Sequence, residues 1–186
     1  MTHPRCRKPH GLDGLVSIFA YQGLCKRVVG KLKYRLVTQA FPEMIEATVS
    51  LGDLSQFSIN EWLLVPVPLH SSRQRWRGFN QAEYIGQSLA KYLHLDYEPF
   101  LLMRHKRTKP QMSLHALDRR DNIKDAFSLR QTFDKSKLQV LRGKSIVLID
   151  DVYTTGATMK EAAKTLKRNG FTSVWGLTLA RTVGFE

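Results

Sequence analysis

Cysteine is almost absent from this chain of 186 residues, with Cys6 and Cys25 the only two. They are too few and too far apart for a zinc ribbon, and in a reducing compartment they read as free thiols. Missing too is any apolar run near the ~18 residues that a membrane span requires. The stretch from Met1 to His10 is basic but lacks the apolar centre of a signal peptide, so the expected location is the cytoplasm. Neither common glycine pattern for nucleotides occurs: there is no G-x-x-x-x-G-K-[ST] and no G-x-G-x-x-G. Acidic residues are scarce, Asp+Glu 16 against Lys+Arg 29, which leaves a net charge of +13. A field of that sign favours polyanions, whether nucleic acid or phosphorylated metabolites, and does not choose between them. The plain alternative is a basic but inert surface.

What is present is an ordinary globular composition, 42% hydrophobic and 24% charged, in a length suited to one domain. Residues 1–35 carry Arg5, Arg7, Lys8, Lys26, Arg27, Lys31, Lys33 and Arg35 against the lone acid Asp13. Leu15 to Tyr21 reads as a short strand, and Leu24, Val28 and Leu32 recur at helical spacing. Pro42 and Glu43 open a further helix that reaches Val49. The basic helix suits a nucleic-acid backbone or plain solvent equally.

The most informative stretch is Ser145 to Thr158. Ile146, Val147, Leu148 and Ile149 form a continuous apolar run, as in a parallel strand buried on both faces. Asp150 and Asp151 follow, then Thr154, Thr155, Gly156, Ala157 and Thr158. Met159, Ala162, Ala163 and Leu166 repeat at helical spacing, and Asn169-Gly170 ends that helix in the manner of a left-handed cap. The first N–H groups of a helix lack internal partners and sit at its positive end. Residues 154–158 would therefore wrap a phosphate, with Gly156 allowing close approach. A carboxylate pair beside them suits the hydroxyls of a sugar phosphate. The competing reading is a solvated Asp-Asp turn with threonine as an ordinary cap. Because successive strand residues point to opposite faces, two carboxylates serving one sugar require the strand to end between or just before them.

Earlier in the chain, Trp62 to Leu69 holds Pro66 and Pro68, which fit the end of a strand rather than its interior. Arg73, Arg75 and Arg77 follow at spacing two with Trp76 and Phe79 interleaved, an anion clamp or an exposed basic loop. Ala82, Ile85, Leu89, Tyr92 and Leu93 mark an amphipathic helix. Arg104 to Phe127 is polar and basic with scattered apolar residues, the composition of a long functional loop. Thr172 to Ala180, containing Val174, Trp175, Leu177 and Leu179, is the expected final strand.

Residues 147–158 resemble the phosphoribosyl-pyrophosphate (PRPP) signature of type I phosphoribosyltransferases. That resemblance implies an α/β fold, a mainly parallel sheet flanked by helices under a basic hood loop. It assigns the ribose to Asp150 and Asp151, and the 5′-phosphate to Thr154, Thr155, Gly156, Ala157 and Thr158. The pyrophosphate loop would comprise His70, Ser71, Ser72, Arg73, Arg75 and Arg77. Arg104, Lys106, Thr108, Gln111, Arg119 and Asn122 would belong to the flexible hood. Together with Val65 to His70 and Arg77 to Ala82, the hood pattern is similar to the ComF-type competence proteins, over about Leu12 to Arg181. The family's N-terminal zinc ribbon is missing, and Cys6 would be the remnant of its last knuckle. Either this lineage dispenses with zinc or the chain starts late.

The implied organisation is a basic helical segment at 1–50, contributing to the hood, and a phosphoribosyltransferase-like domain at 51–186, built as one unit. The implied activity is transfer of phosphoribose from PRPP to an acceptor with release of pyrophosphate. Mg²⁺ would arrive through PRPP, with no metal ligated directly by protein. Two alternatives stand beside it. One is a non-catalytic accessory of DNA uptake, binding single-stranded DNA and partners in the competence machinery. The other is a PRPP-sensing regulator without turnover.

Overall fold

In the computed structural model, residues 11–31, 41–51, 54, 61–106 and 122–182 are described. Five parallel strands form the main sheet: β1 (Gly14–Ala20), β2 (Trp62–Pro66), β3 (Asp96–Tyr97), β6 (Ser145–Tyr153) and β7 (Val174–Arg181). Their spatial order is β1-β7-β6-β2-β3. A separate antiparallel pair joins β4 (Leu102–Arg104) to β5 (Phe127–Leu129). The helices are α1 (Gly23–Lys31), α2 (Phe41–Leu51), α3 (Ser71–Arg77), α4 (Gln81–Leu93), α5 (Lys135–Arg142) and α6 (Ala157–Arg168). The α/β architecture expected from the sequence is the one observed.

The apolar run at 146–149 is β6, central in the sheet and buried on both faces. Ile146 and Leu148 pack with Ala157, Met159, Ala162, Ala163 and Leu166 of α6, and with Leu102 and Phe127 of the β4–β5 pair. Val147 and Ile149 face the other way, into a cluster with Ile85 and Leu89 of α4, Ile45 of α2 and Val29 of α1. The period-two alternation of β6 thus separates two cores. Gly176 lies where α6 crosses the sheet; a Cβ there would fall 2.4 Å from Met159 Sδ. A larger residue would push the helix off the sheet.

Helix placement fixes where a ligand can enter. The crossover from β6 to β7 runs through α6 on one face, while β2 reaches β3 through α4 on the other. Right-handed connections leaving adjacent strands in opposite directions require this split. The topological switch point, where open α/β sheets hold their ligands, therefore falls between the carboxyl ends of β2 and β6.

Three expectations need correction. β6 does not end at the acidic pair: it continues to Tyr153, because β7 is long enough to pair Val152 with Ala180 and Tyr153 with Arg181. In α1 the apolar face is displaced from the predicted one. Leu24 is 67% exposed, whereas Val29 is buried and Cys25 and Val28 pack beside it. Leu32 lies outside the described residues. The stretch Arg104 to Phe127 is not loop at its ends: β4 and β5 pair there, with Ile123, Ala126 and Phe127 buried in the core.

Candidate functional site

The carboxyl edge of the sheet gathers β6 and its turn, the start of α6, α3 and the end of β4. Asp150 and Asp151 are half-buried near the carboxyl end of β6, which runs on to Tyr153. The backbone N–H of Asp151 donates to Asp150 Oδ1 at 2.9 Å, and that of Val152 to Asp151 Oδ1 at 2.7 Å. Burial raises the Asp150 pKa well above the usual carboxylate range, and the Asp151 charge adds to the effect. The backbone hydrogen bond and the nearby Arg104 guanidinium oppose it. Two acids so close resist joint ionisation, so a ligand bringing hydroxyl donors or a cation relieves the pair.

The turn after β6 is held from β7. The Thr182 N–H donates to Tyr153 O at 3.0 Å, and the Thr182 hydroxyl to Thr154 O at 3.3 Å. Gly156 then takes a left-handed conformation, φ 73°, and begins α6 without a side-chain cap. Nearby, Ala157 N–H reaches Thr155 Oγ1 at 3.4 Å. Tyr153 folds back over this turn, its phenol oxygen 2.1 Å from where a Cβ on Gly156 would lie. Thr154, Thr155, Gly156, Ala157 and Thr158 are thus all brought to the N-terminus of α6, at its positive end. Sequence reasoning gave Tyr153 no role; its place three residues before the glycine was the available signal.

The segment expected to be a pyrophosphate loop is a helix. His70 caps α3, its Nδ1 accepting from the Ser72 N–H at 3.2 Å and standing 2.8 Å from the Ser72 hydroxyl. Ser71, Ser72, Arg73, Arg75 and Arg77 lie within it, and Gly78 closes it with φ 80°. Residues at spacing two in an extended chain would share a face, whereas on a helix they diverge by about 200°. Arg73 and Arg77, one turn apart, therefore lie together and are half-buried, while Arg75 is exposed. Burial lowers the Arg73 pKa, and the Arg77 charge lowers it further. Trp76 is 76% exposed, whereas Phe79 packs against the core on the α4 side.

Asn80, which carried no site role in the sequence reading, fixes α3 to the scaffold. Its Oδ1 accepts from the Ala82 N–H at 3.1 Å as the cap of α4. Its Nδ2 donates to Val67 O at 3.1 Å and to Glu83 Oε1 at 3.2 Å. The chain leaving β2 and the start of α4 are joined through one buried side chain.

Arg104, expected in a flexible hood, is a β4 residue only 8% exposed, its guanidinium 5.7 Å from the Phe127 ring centroid. Its pKa is pushed down to about 10, first by burial and then by the Arg73 charge, with Asp150 acting in the opposite direction. It is a fixed cation between the acidic pair and α3. Lys106 donates to Lys124 O at 3.2 Å, and Asn122 lies on the returning limb. Thr108, Gln111 and Arg119 lie outside the described residues, as does Cys6. On the far side of β6, Tyr21 stands close enough to Asp151 for that charge, after burial and together with Cys25, to raise its pKa. Tyr21 follows β1 directly, the one signal by which the sequence could have placed it at this edge.

No helix among the described residues is long and apolar enough to cross a membrane. The family model for the phosphoribosyl transferase domain matches residues 80–181. Competence protein F of Haemophilus influenzae is 40% identical over 119 residues, covering 63% of this chain and 50% of that protein. DNA utilization protein YhgH of Salmonella typhi is 32% identical over 183 residues, 96% of this chain and 77% of its own length. Competence protein ComFC of Bacillus subtilis is 28% identical over 170 residues, 89% and 63% of the two chains. The matched part spans about half the length of the Haemophilus protein and of the Escherichia coli YhgH proteins. With the signature turn, its sheet position and these relatives in agreement, the chain belongs to the phosphoribosyltransferase-domain proteins, among the ComF-type competence proteins.

Proposed function

We propose that the crevice between β2 and β6 binds PRPP with Mg²⁺ and transfers its phosphoribosyl group to an acceptor. The observation that carries this reading is one short connection. Adjacent carboxylates stand near the carboxyl end of a buried central strand, and a left-handed glycine at the start of a helix follows within five residues. Although β6 continues past them, the Asp150 and Asp151 side chains lie close enough to interact, so both would accept from the hydroxyls of one ribose. The first turn of α6, with Thr154, Thr155 and Thr158, would donate to the 5′-phosphate. Arg73, Arg77 and Arg104 would stand toward the diphosphate.

Among the described residues no three His, Cys, Asp or Glu side chains gather as a metal cage. The hard cation would therefore arrive held by PRPP oxygens rather than by protein ligands. Bound magnesium would offset charge on the diphosphate. In the transfer, the acceptor's lone pair forms a bond to C1′ as the C1′–O bond to diphosphate breaks. The electron pair leaves on the diphosphate and the acceptor's proton passes to solvent. Held cations facing the leaving group stabilise that charge with little reorganisation. The relatives' names, competence protein and DNA utilization protein, support a role for this chemistry in the use of incoming DNA.

The test is calorimetric titration of the protein with PRPP and MgCl₂, beside an Asp150→Asn/Asp151→Asn double variant. Two charge-assisted contacts at ~1.5–3 kcal/mol each predict an affinity loss of about 100-fold or more. Folded wild-type protein that does not bind PRPP, or a double variant that binds as well, would overturn the reading.

The exposed Trp76 beside exposed Arg75 favours a second reading, a surface for single-stranded DNA. An oligo(dT) affinity that falls steeply with salt and drops in Trp76→Ala supports it. Binding indifferent to both rejects it.

A further inference from the structure

The two outer strands of the main sheet are finished differently. On one side β3 is two residues long and brings Asp96, which is ion-paired with Lys144. On the other side β1 runs for seven residues, with no charge and no proline. Among the described residues no strand lies beyond it. Sheets commonly blunt such an edge with short strands, charges or prolines, because its unpaired backbone groups accept another strand. Asp13 and Tyr21, which flank β1, both donate their N–H to the β7 side, at Val174 O (2.8 Å) and Arg181 O (2.7 Å). Alternation along the strand then turns the backbone groups of Gly14, Val16 and Ile18 outward. The Ala20 carbonyl, also outward, is taken by the Gln22 N–H at 2.8 Å. Val16 and Ile18 pack on the α4-side core and Leu15 on the α6-side core, whereas Phe19, half-buried, packs in neither.

We propose that β1 is the contact by which two copies of this chain pair, antiparallel about a two-fold axis at Ser17, into one continuous sheet. The strand is self-complementary. Leu15-Val16-Ser17-Ile18-Phe19 runs large, β-branched, small, β-branched, large, and so reads alike in both directions. With Ser17 opposite Ser17, Val16 of each copy exchanges backbone hydrogen bonds with Ile18 of the other, through the groups that point outward. Phe19 of each copy then lies across from Leu15 of the other, an aromatic–aliphatic pair on one face. The axis falls on a non-hydrogen-bonded pair, where antiparallel strands approach most closely and a small side chain fits best. Ser17 is small, and its hydroxyl is drawn toward β7, 2.7 Å from Thr178 Oγ1. Identical edges meeting about a two-fold close the assembly at two copies. Neither strand carries a charge to oppose a like charge across the pair. The net charge of +13 lies elsewhere and resists association only at long range. The contact is one strand wide, smaller than a permanent interface, so the dimer should be weak, with Kd on the order of 10 μM.

The test is sedimentation equilibrium of the full chain between roughly 1 and 300 μM, with circular dichroism melts as the control for folding. Wild type should show a reversible monomer–dimer equilibrium that tightens as salt screens the repulsion between copies. Ile18→Pro removes an outward N–H and none that β7 uses, so the folded variant should associate about tenfold more weakly or worse. A second measurement does not depend on that variant folding. In a Cys6→Ser/Cys25→Ser background, Ser17→Cys should form an intermolecular disulfide on mild oxidation, because the two sites face each other across the axis. Ile18→Cys, which faces Val16 of the other copy, should not. The proposal is overturned if wild type is monomeric throughout, an outcome that leaves the edge to a strand of another protein. It is equally overturned if folded Ile18→Pro associates as tightly as wild type, if association weakens as salt rises, or if Ser17→Cys crosslinks no more readily than Ile18→Cys.

Discussion

Two helices begin at the carboxyl edge of adjacent strands in this protein, and their first turns are finished in opposite ways. The start of α6, after β6, has a glycine at the cap, which supplies no side-chain acceptor, and Thr155 Oγ1 meets the Ala157 N–H only at 3.4 Å. The start of α3, after β2, is closed by His70 through the Ser72 N–H. A first turn whose cap residue brings no side chain can turn its backbone N–H groups toward a bound anion. A capped one has spent its backbone donors, so what α3 brings to the crevice is the guanidinium groups of Arg73 and Arg77. On the proposed reading, a sugar bearing phosphate at one end and diphosphate at the other would meet backbone dipoles on one side and side-chain charges on the other. The cap residue, more than the helix itself, decides which kind of donor each start offers.

The largest expected effect comes from closing the open turn. Gly156→Ala places a methyl group 2.1 Å from the Tyr153 phenol oxygen at a φ of 73° that alanine disfavours. Either the ring or the turn must move. The expected outcome is a stability loss of about 1–3 kcal/mol by denaturant titration. PRPP affinity should fall roughly 100-fold by calorimetry, because N–H donors displaced by even an ångström no longer converge. Near-normal PRPP affinity in this variant would show that the turn is not the phosphate cradle.

The two connections were also unequally legible in the sequence. β6 and α6 could be read because each local signal agreed: an unbroken β-branched and leucine run, a glycine at the turn, an apolar stripe at 3.6 spacing. Gly156 and the two aspartates had to stand where they do for that string to make sense. α3 could not be read in the same way. Arg73, Arg75 and Arg77 with Trp76 between them carry no buried residue, so no hydrophobic period marks the helix. Spacing two then suggests an extended loop. The prolines at the end of β2 were informative only because Pro66 lies beyond the reach of β3, which pairs with Leu63 and Leu64 alone. Arg104 was hidden for a different reason. Strands of three residues leave almost no pattern, and a cation 8% exposed against Phe127 contradicts the usual meaning of a basic segment. The continuation of β6 past both acids depended on the length of a partner strand, which β6 itself does not encode.

The helical geometry of α3 yields the next prediction, smaller than the first. Arg73→Gln should weaken PRPP binding by roughly 10-fold to 30-fold, the worth of one charge-assisted phosphate contact. Arg75→Gln removes an equal formal charge from the exposed face and should change affinity by less than about twofold at physiological salt. Titrating both variants at low and at physiological salt separates contact from long-range field. Equal losses in the two would return α3 to a loop in which all three arginines face the ligand.

The smallest effect should come from His70→Ala, which opens the closed turn and so makes α3 resemble α6. Loss of the cap at Ser72 N–H should cost about 1 kcal/mol of stability. The helix is only seven residues long, so the loss falls on a large share of its backbone bonds. Asn80, through Val67 O and the Ala82 N–H, still anchors the chain on both sides, which limits how far Arg73 and Arg77 can move. PRPP affinity should therefore fall only about twofold to fivefold, with the melting temperature lower by a few degrees. His70→Asn or His70→Asp, which restore a cap acceptor, should recover both quantities. If these variants recover stability but not affinity, His70 itself reaches the ligand. In that case the imidazole, rather than the helix it caps, is what the crevice uses at this corner.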